Sequence, residues 1–179
     1  MDYFEGIIKT LLEHEGFWVR QSFKVNLTKQ EKRDIGKHSI PRPEIDLLAF
    51  NQNKNHIIVL EAKSFLDSPG VRIDDLKEVY EIPEGRYKLF TCEKYRGIVF
   101  DRLKQDLIDT EMADGETVIK LGLVAGNVYQ SRSEDMCKLF DSKGWVFWSP
   151  EDVKDKVNAL AKKGYENEPA IITAKILMR

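Results

Sequence analysis

The chain has 179 residues, of which 42% are hydrophobic and 32% charged, with a formal net charge of −2. That balance argues against a disordered polymer and a globally basic nucleic-acid coat, and the length suits one ordinary domain with a substantial core. Cys92 and Cys137 lie far apart without a C-x-x-C spacing, the opening "MDYFEGIIKT" is acidic before its apolar residues, and no run approaches the roughly 18 apolar residues of a membrane span. A zinc site, a disulfide framework and a membrane anchor are thus disfavoured, and a soluble, cytoplasmic protein is expected.

In chain order, Phe4, Ile7, Ile8, Leu11 and Leu12 recur at helical spacing behind a capping Asp2, which gives a helix over 3–15 stopped by Gly16. "FWVRQSFKV" (17–25) reads as a strand, and the polar, Gly- and Pro-containing stretch 26–43 as a long connection or open hairpin. "EIDLLAF" (44–50) and "HIIVLEAKS" (56–64) read as two strands of a hairpin turned at "NQNKN". A short helix after Gly70, a short strand "RYKLFT" (86–91), a helix over 94–112 and a strand over 117–126 follow. A helix ended by Gly144, the aromatic strand "WVFW", a helix starting at Ser149-Pro150 and ending at Gly164, and a last helix after Asn167 and Pro169 complete the chain.

Glu61 and Lys63 stand at the end of a strand that begins as a core run, and by alternation they share one face while Ala62 takes the other. Glu44 and Asp46 share a face of the neighbouring strand by the same rule. A hairpin that brings these carboxylates together needs a cation, because converging negative charges otherwise force one to protonate. An all-oxygen donor set at a half-exposed strand end suits a hard ion, Mg²⁺ or Mn²⁺. Lys63 is then free to hold a water beside the ion and help to deprotonate it. The competing reading is a surface ion pair, worth at most about 1 kcal/mol. His14, His38 and His56 show no ligand spacing.

Asp46, fourteen intervening residues and then Glu61-Ala62-Lys63, as "EID … EAK", resemble the signature of the PD-(D/E)XK nuclease superfamily. Glu5, in the first helix eleven residues before "GF", makes the order similar to archaeal Holliday-junction resolvases and related restriction-endonuclease-like proteins. The resemblance covers roughly residues 1–126. The residue before Asp46 is Ile45, with Pro43 three positions upstream of the aspartate, and no Q-x-x-x-Y follows the third strand, which disfavours the RecB-like branch. The resemblance implies an α/β, restriction-endonuclease-like mixed central sheet flanked by helices, in a single domain of 1–179 with its core in 1–126 and a helical C-terminal appendage over 145–179. It implies metal ligation by Asp46, Glu61 and the backbone carbonyl of Ala62, with Glu5 at a second ion or its water. Glu5 borders the apolar stripe of its helix near Ile8 and Leu12, whereas Glu13 points away.

Between Arg20 and Arg42 lie seven cations against Glu31 and Asp34, a local net of +5. Lys29, Lys32, Arg33, Lys37 and Arg42 are therefore the phosphate-binding candidates. The expected activity is a Mg²⁺-dependent deoxyribonuclease, with DNA as partner and a homodimer as an option. The different-class alternative is a non-catalytic nuclease-fold nucleic-acid-binding module of a repair, recombination or restriction complex. A nucleotide-binding α/β domain is set aside because neither G-x-G-x-x-G nor G-x-x-x-x-G-K-[ST] occurs.

Overall fold

The computed structural model describes residues 2–164 and 166–178. In chain order it contains α1 (Tyr3–His14), β1 (Trp18–Lys24), α2 (Lys29–Asp34), β2 (Glu44–Asn51), β3 (His56–Lys63), α3 (Ile73–Lys77), α4 (Lys88–Thr91), α5 (Glu93–Asp109), β4 (Val118–Ala125), α6 (Ser133–Lys143), β5 (Val146–Trp148), α7 (Pro150–Ala161) and α8 (Pro169–Leu177). The strands form one mixed sheet in the order β1-β2-β3-β4-β5. β1, β2 and β3 pair antiparallel, while β3, β4 and β5 pair parallel. No helix among the described residues is long and apolar enough to cross a membrane.

β3 is the central strand, and it is aliphatic without interruption because both of its faces are covered. On one face Ile58 and Leu60 pack with Ile8 and Leu12 of α1. On the other, Ile57 and Val59 pack with Val99 and Leu103 of α5 and Phe140 of α6. α5 buries Tyr95, Val99, Leu103 and Leu107, one residue per turn, which is the stripe a helix needs to lie along a sheet. The C-terminal segment is more than a helical appendage. β5 extends the sheet beside β4, and Leu160, Ile171 and Ala174 of α7 and α8 join the α1 core. The last helix is capped by Glu168, whose carboxylate accepts from the backbone N–H of Ala170 and Ile171 at 2.8 and 3.1 Å.

Two stretches depart from the sequence reading. The connection 26–43 contains α2, which is held by a capping box: the Thr28 hydroxyl accepts from Glu31 N–H at 3.2 Å and the Glu31 carboxylate from Thr28 N–H at 2.6 Å. Glu31 also pairs with Arg102 of α5 at 2.8 Å, so six polar residues stay helical through a cap and a distant partner rather than an apolar stripe. "RYKLFT", expected as a strand, ends in the one-turn helix α4, with Leu89, Phe90 and Thr91 buried and the Thr91 hydroxyl donating to Tyr87 O at 3.0 Å. Its apolar residues fit a strand locally, but the sheet's two edges belong to β1 and β5, and a strand without a partner leaves its backbone unpaired.

The β1–β2 register is interrupted once, at Ser22 opposite Asp46, where Ser22 takes a φ of +50°. The consequence is a change of face. Val19 packs on the α1 side and Phe23, four residues on, on the α5 side; Leu47 and Ile45 of β2 divide in the same way. Strict alternation therefore fails at Asp46, and the expectation that Glu44 and Asp46 share a face fails with it. Glu44 is exposed and pairs with Lys24 at 3.5 Å, while Asp46 turns to β3.

Candidate active site

The β2–β3 ladder closes at the pair Leu47 and Leu60, one residue short of both Asp46 and Glu61. Beyond that point the Asp46 carboxylate replaces a backbone acceptor, with Oδ2 accepting from the N–H of Ala62 at 2.9 Å. The same oxygen lies 3.3 Å from Lys63 Nζ, and Nζ lies 3.5 Å from Glu61 Oε2. The three side chains thus meet, each with only 16–22% of its surface exposed. A strand residue's N–H and C=O point the same way, so the Ala62 carbonyl faces the Asp46 side of the gap.

β4 supports this end of β3 from the other side. Pairing continues to Lys63 and Ala125, and Gly126 N–H then donates to Lys63 O at 2.8 Å. A Cβ at Gly126 would fall 2.2 Å from the Ser64 carbonyl oxygen, a clash with backbone that no rotamer relieves. Gly126→Ala is therefore expected to cost about 2 kcal/mol, in the range of overpacked sites, by forcing the end of β3 away from β4. Thermal unfolding of the variant measures this, and an unchanged melting temperature would refute the tight approach.

The electrostatics single out Glu61. Burial, reinforced by the charge of Asp46 and opposed by Lys63, pushes its carboxyl up to about 7. Its Oε2 is buried and accepts no well-formed hydrogen bond among the described residues; Lys63 Nζ, 3.5 Å away, faces it as an ion pair. Burial works against the charge of Lys63, but Glu61 and Asp46 together outweigh it and hold the ammonium above its ordinary pKa. Glu5, in the first turn of α1, is raised by its own burial and then by the charge of Asp46, with Lys63 opposing, so it lies within electrostatic reach of the group. Tyr87 and Tyr95, beside Glu61, are pushed by burial to about 12 and stay neutral.

No set of three or more His, Cys, Asp or Glu side chains at ligand spacing occurs among the described residues. What the site offers is two carboxylates, a carbonyl facing the same gap, and Glu5 nearby. These are hard oxygen donors, which suit Mg²⁺ or Mn²⁺, and the unpartnered buried oxygen of Glu61 is one that a divalent cation would satisfy.

Glu61 and Lys63 open into a cleft of about 460 Å³ whose walls carry Arg42, Glu44, Arg86 and Lys88. The basic residues named from sequence separate. Lys29, Lys32 and Arg33 lie on α2 and do not line this cleft; Lys37 donates to the Pro83 carbonyl at 2.6 Å; Arg42 reaches Asn26 at 3.3 Å and lines the cleft. Sequence reasoning passed over Arg86 and Lys88 because it placed them in an ordinary strand. Their alternation in "RYKLFT", with one residue between them, was the available signal.

No family model matches the chain, and no curated protein matches it. Among solved structures the chain is similar to the crystal structure of a protein of unknown function, AF1548, at 14% identity, over 97% of this chain and 66% of that one. The TM-score of that match is 0.38, so the likeness carries no argument about fold or chemistry.

Proposed function

We propose that the chain is a metal-dependent nuclease of the PD-(D/E)XK type, with a restriction-endonuclease-like core, that hydrolyses phosphodiester bonds of DNA using Mg²⁺ or Mn²⁺. One observation carries the reading: a buried carboxylate oxygen of Glu61 that accepts no hydrogen bond among the described residues and shares the ammonium of Lys63 with Asp46. A helix, three antiparallel strands with the short α2 between the first two, further helices and a parallel fourth strand, in that order, agree with such a core.

Asp46, Glu61 and the Ala62 carbonyl would hold the ion, with Glu5, which feels the charge of Asp46, at a second ion or its water. When bound, the ion supplies the charge that offsets the phosphate and the attacking oxygen. Lys63 keeps its proton at neutral pH, so it acts as a hydrogen-bond donor and a fixed positive charge, positioning water and stabilising the negative charge that develops as the water loses its proton. Asp46 also orients the strand end through the Ala62 N–H, which couples ligand placement to the backbone.

Purified protein incubated with plasmid and with linear DNA tests the reading. Cleavage with Mg²⁺ or Mn²⁺ that stops with a chelator, and is lost in Asp46→Ala, supports it. DNA binding without cleavage under either ion would favour the non-catalytic binding module instead. The homodimer expected as an option from sequence is checked by light scattering of the same sample.

A further inference from the structure

The cleft beside Glu61 and Lys63 has two walls from distant parts of the chain. One is the segment before β2, which carries Arg42; the other is the end of the loop that enters α4, together with the helix's first residue, carrying Arg86 and Lys88. The walls are tied to each other, since Lys37 Nζ donates to Pro83 O at 2.6 Å and the position of Gly36 abuts the Ile82 side chain. The spacing across the cleft is therefore built into the fold.

Its charge is opposite to that of the carboxylates it surrounds. Of the charged residues lining the cleft, Arg42, Lys63, Arg86 and Lys88 are positive and Glu44 and Glu61 negative, a net of +2 before any metal ion is added. Among the described residues Arg42, Arg86 and Lys88 have no carboxylate within ion-pair distance, although Asp75, Glu78 and Glu84 line an adjoining hollow with Arg86. Other arginines, such as Arg102 with Glu31 and Arg132 with Asp135, are paired, and Arg20, Arg72 and Arg96 lie over aromatic rings; Arg42 and Arg86 differ in facing the cleft. Unpaired cations around a pit of carboxylates form the arrangement a polyanion needs, because the anion supplies the missing partners while a metal ion neutralises the floor. A volume of about 460 Å³ is that of a small-ligand site and admits one strand's backbone, not a whole duplex.

We infer that Arg42 on one wall and Arg86 and Lys88 on the other grip the phosphates of a single nucleic-acid strand on either side of the bond presented to Glu61 and Lys63. The inference rests on the reading of that group as the cleavage site. Contacts of this kind fix the register of the backbone and carry no base identity, so the cleft recognises a sugar-phosphate chain and not a sequence. Arg86 and Lys88 act as positioning residues, felt in KM and in salt dependence more than in kcat.

The test uses full-length protein in chelator, so that nothing is cut, and fluorescently labelled single-stranded and duplex oligonucleotides over a salt series. Arg86→Ala combined with Lys88→Ala is expected to shrink the slope of log affinity against log salt by about 1.4 on single strands, and by less than the about 1.8 that two full contacts would give on duplex, because the cleft takes one backbone only. Arg86→Lys with Lys88→Arg keeps both charges and is expected to keep the slope. Arg86 is exposed and makes no bond the fold needs, so Arg86→Ala alone, with about half the effect, serves if the double variant melts early. Slopes unchanged on both substrates, or a wild-type protein that binds neither, would overturn the inference. The two readings fail separately. A reduced slope without Mg²⁺-dependent cleavage keeps the phosphate grip and sinks the nuclease, and cleavage with an unchanged slope sinks the grip alone.

Discussion

Lys63→Ala is expected to slow DNA cleavage by about 10²–10³-fold while leaving Mn²⁺ affinity close to that of the wild type. The lysine stands 3.3 Å from Asp46 and 3.5 Å from Glu61, so it serves the carboxylates electrostatically but is not an oxygen donor to an ion. Its removal costs the reaction a fixed positive charge and a hydrogen-bond donor that are already in place before the negative charge develops. Metal binding loses no ligand and gains relief from a competing cation, so affinity holds or rises. Lys63→Arg keeps the charge on a larger, planar head, and is expected to recover only part of the rate. Single-turnover kinetics and calorimetry on the same preparations separate the effects. Near-normal cleavage by the alanine variant, or loss of its Mn²⁺ binding, would contradict the assigned role.

A second large effect concerns pH. With the Glu61 carboxyl at about 7 in the folded protein and near its ordinary 4.5 in the unfolded chain, the folded state holds more protons between those values. Metal-free stability attributable to this group is therefore full below about pH 4.5 and falls as pH rises to 7, by about 3 kcal/mol in all. Glu61→Gln removes the titration. The variant is expected to match the wild type near pH 4 and to exceed it by up to that amount at pH 8 without metal. Glu5, also raised, gives a slope of the same sign but is present in both proteins. Lys63 is raised, so its contribution is fully present below its ordinary 10.5 and constant across this window, and in the variant it retains Asp46 as partner. Mg²⁺ at pH 8 should stabilise the wild type and not the variant, closing the gap. Denaturant melts at the two pH values, with and without Mg²⁺, measure all four quantities, and a difference between the proteins that does not change with pH would show that Glu61 titrates normally.

The sheet and the carboxylate pair were legible because they are local. Four aliphatics in "HIIVLEAKS" require a buried strand, period two sets Glu61 and Lys63 on one face, and a hairpin of eight-residue strands carries Asp46 to them. What was not legible depends on contacts across the chain. α2 is a polar hexamer: its Thr28–Glu31 capping box stands in the sequence, but the partner that anchors Glu31, Arg102, lies seventy-one residues away and no pattern within 26–43 records it. The change of face at Asp46 turns on one residue of a different strand, Ser22, at positive φ. Arg86 and Lys88 line the cleft in a part of the chain tied to the distant segment 26–43 through the Lys37 contact with the Pro83 carbonyl, which no local pattern records. A charge count along the sequence could find the excess of cations between Arg20 and Arg42, but not which of them the fold would turn toward the carboxylates.

The central claim is that Asp46 and Glu61 hold a divalent cation. A crystal grown above pH 7, where Glu61 is ionised, soaked in Mn²⁺ and measured for anomalous scattering, addresses it directly. The expected result is a peak in the gap between β2 and β3, roughly 2 Å from carboxylate oxygens of both residues and from the Ala62 carbonyl. Manganese bound only elsewhere, or an empty gap at concentrations that support cleavage, would contradict the account.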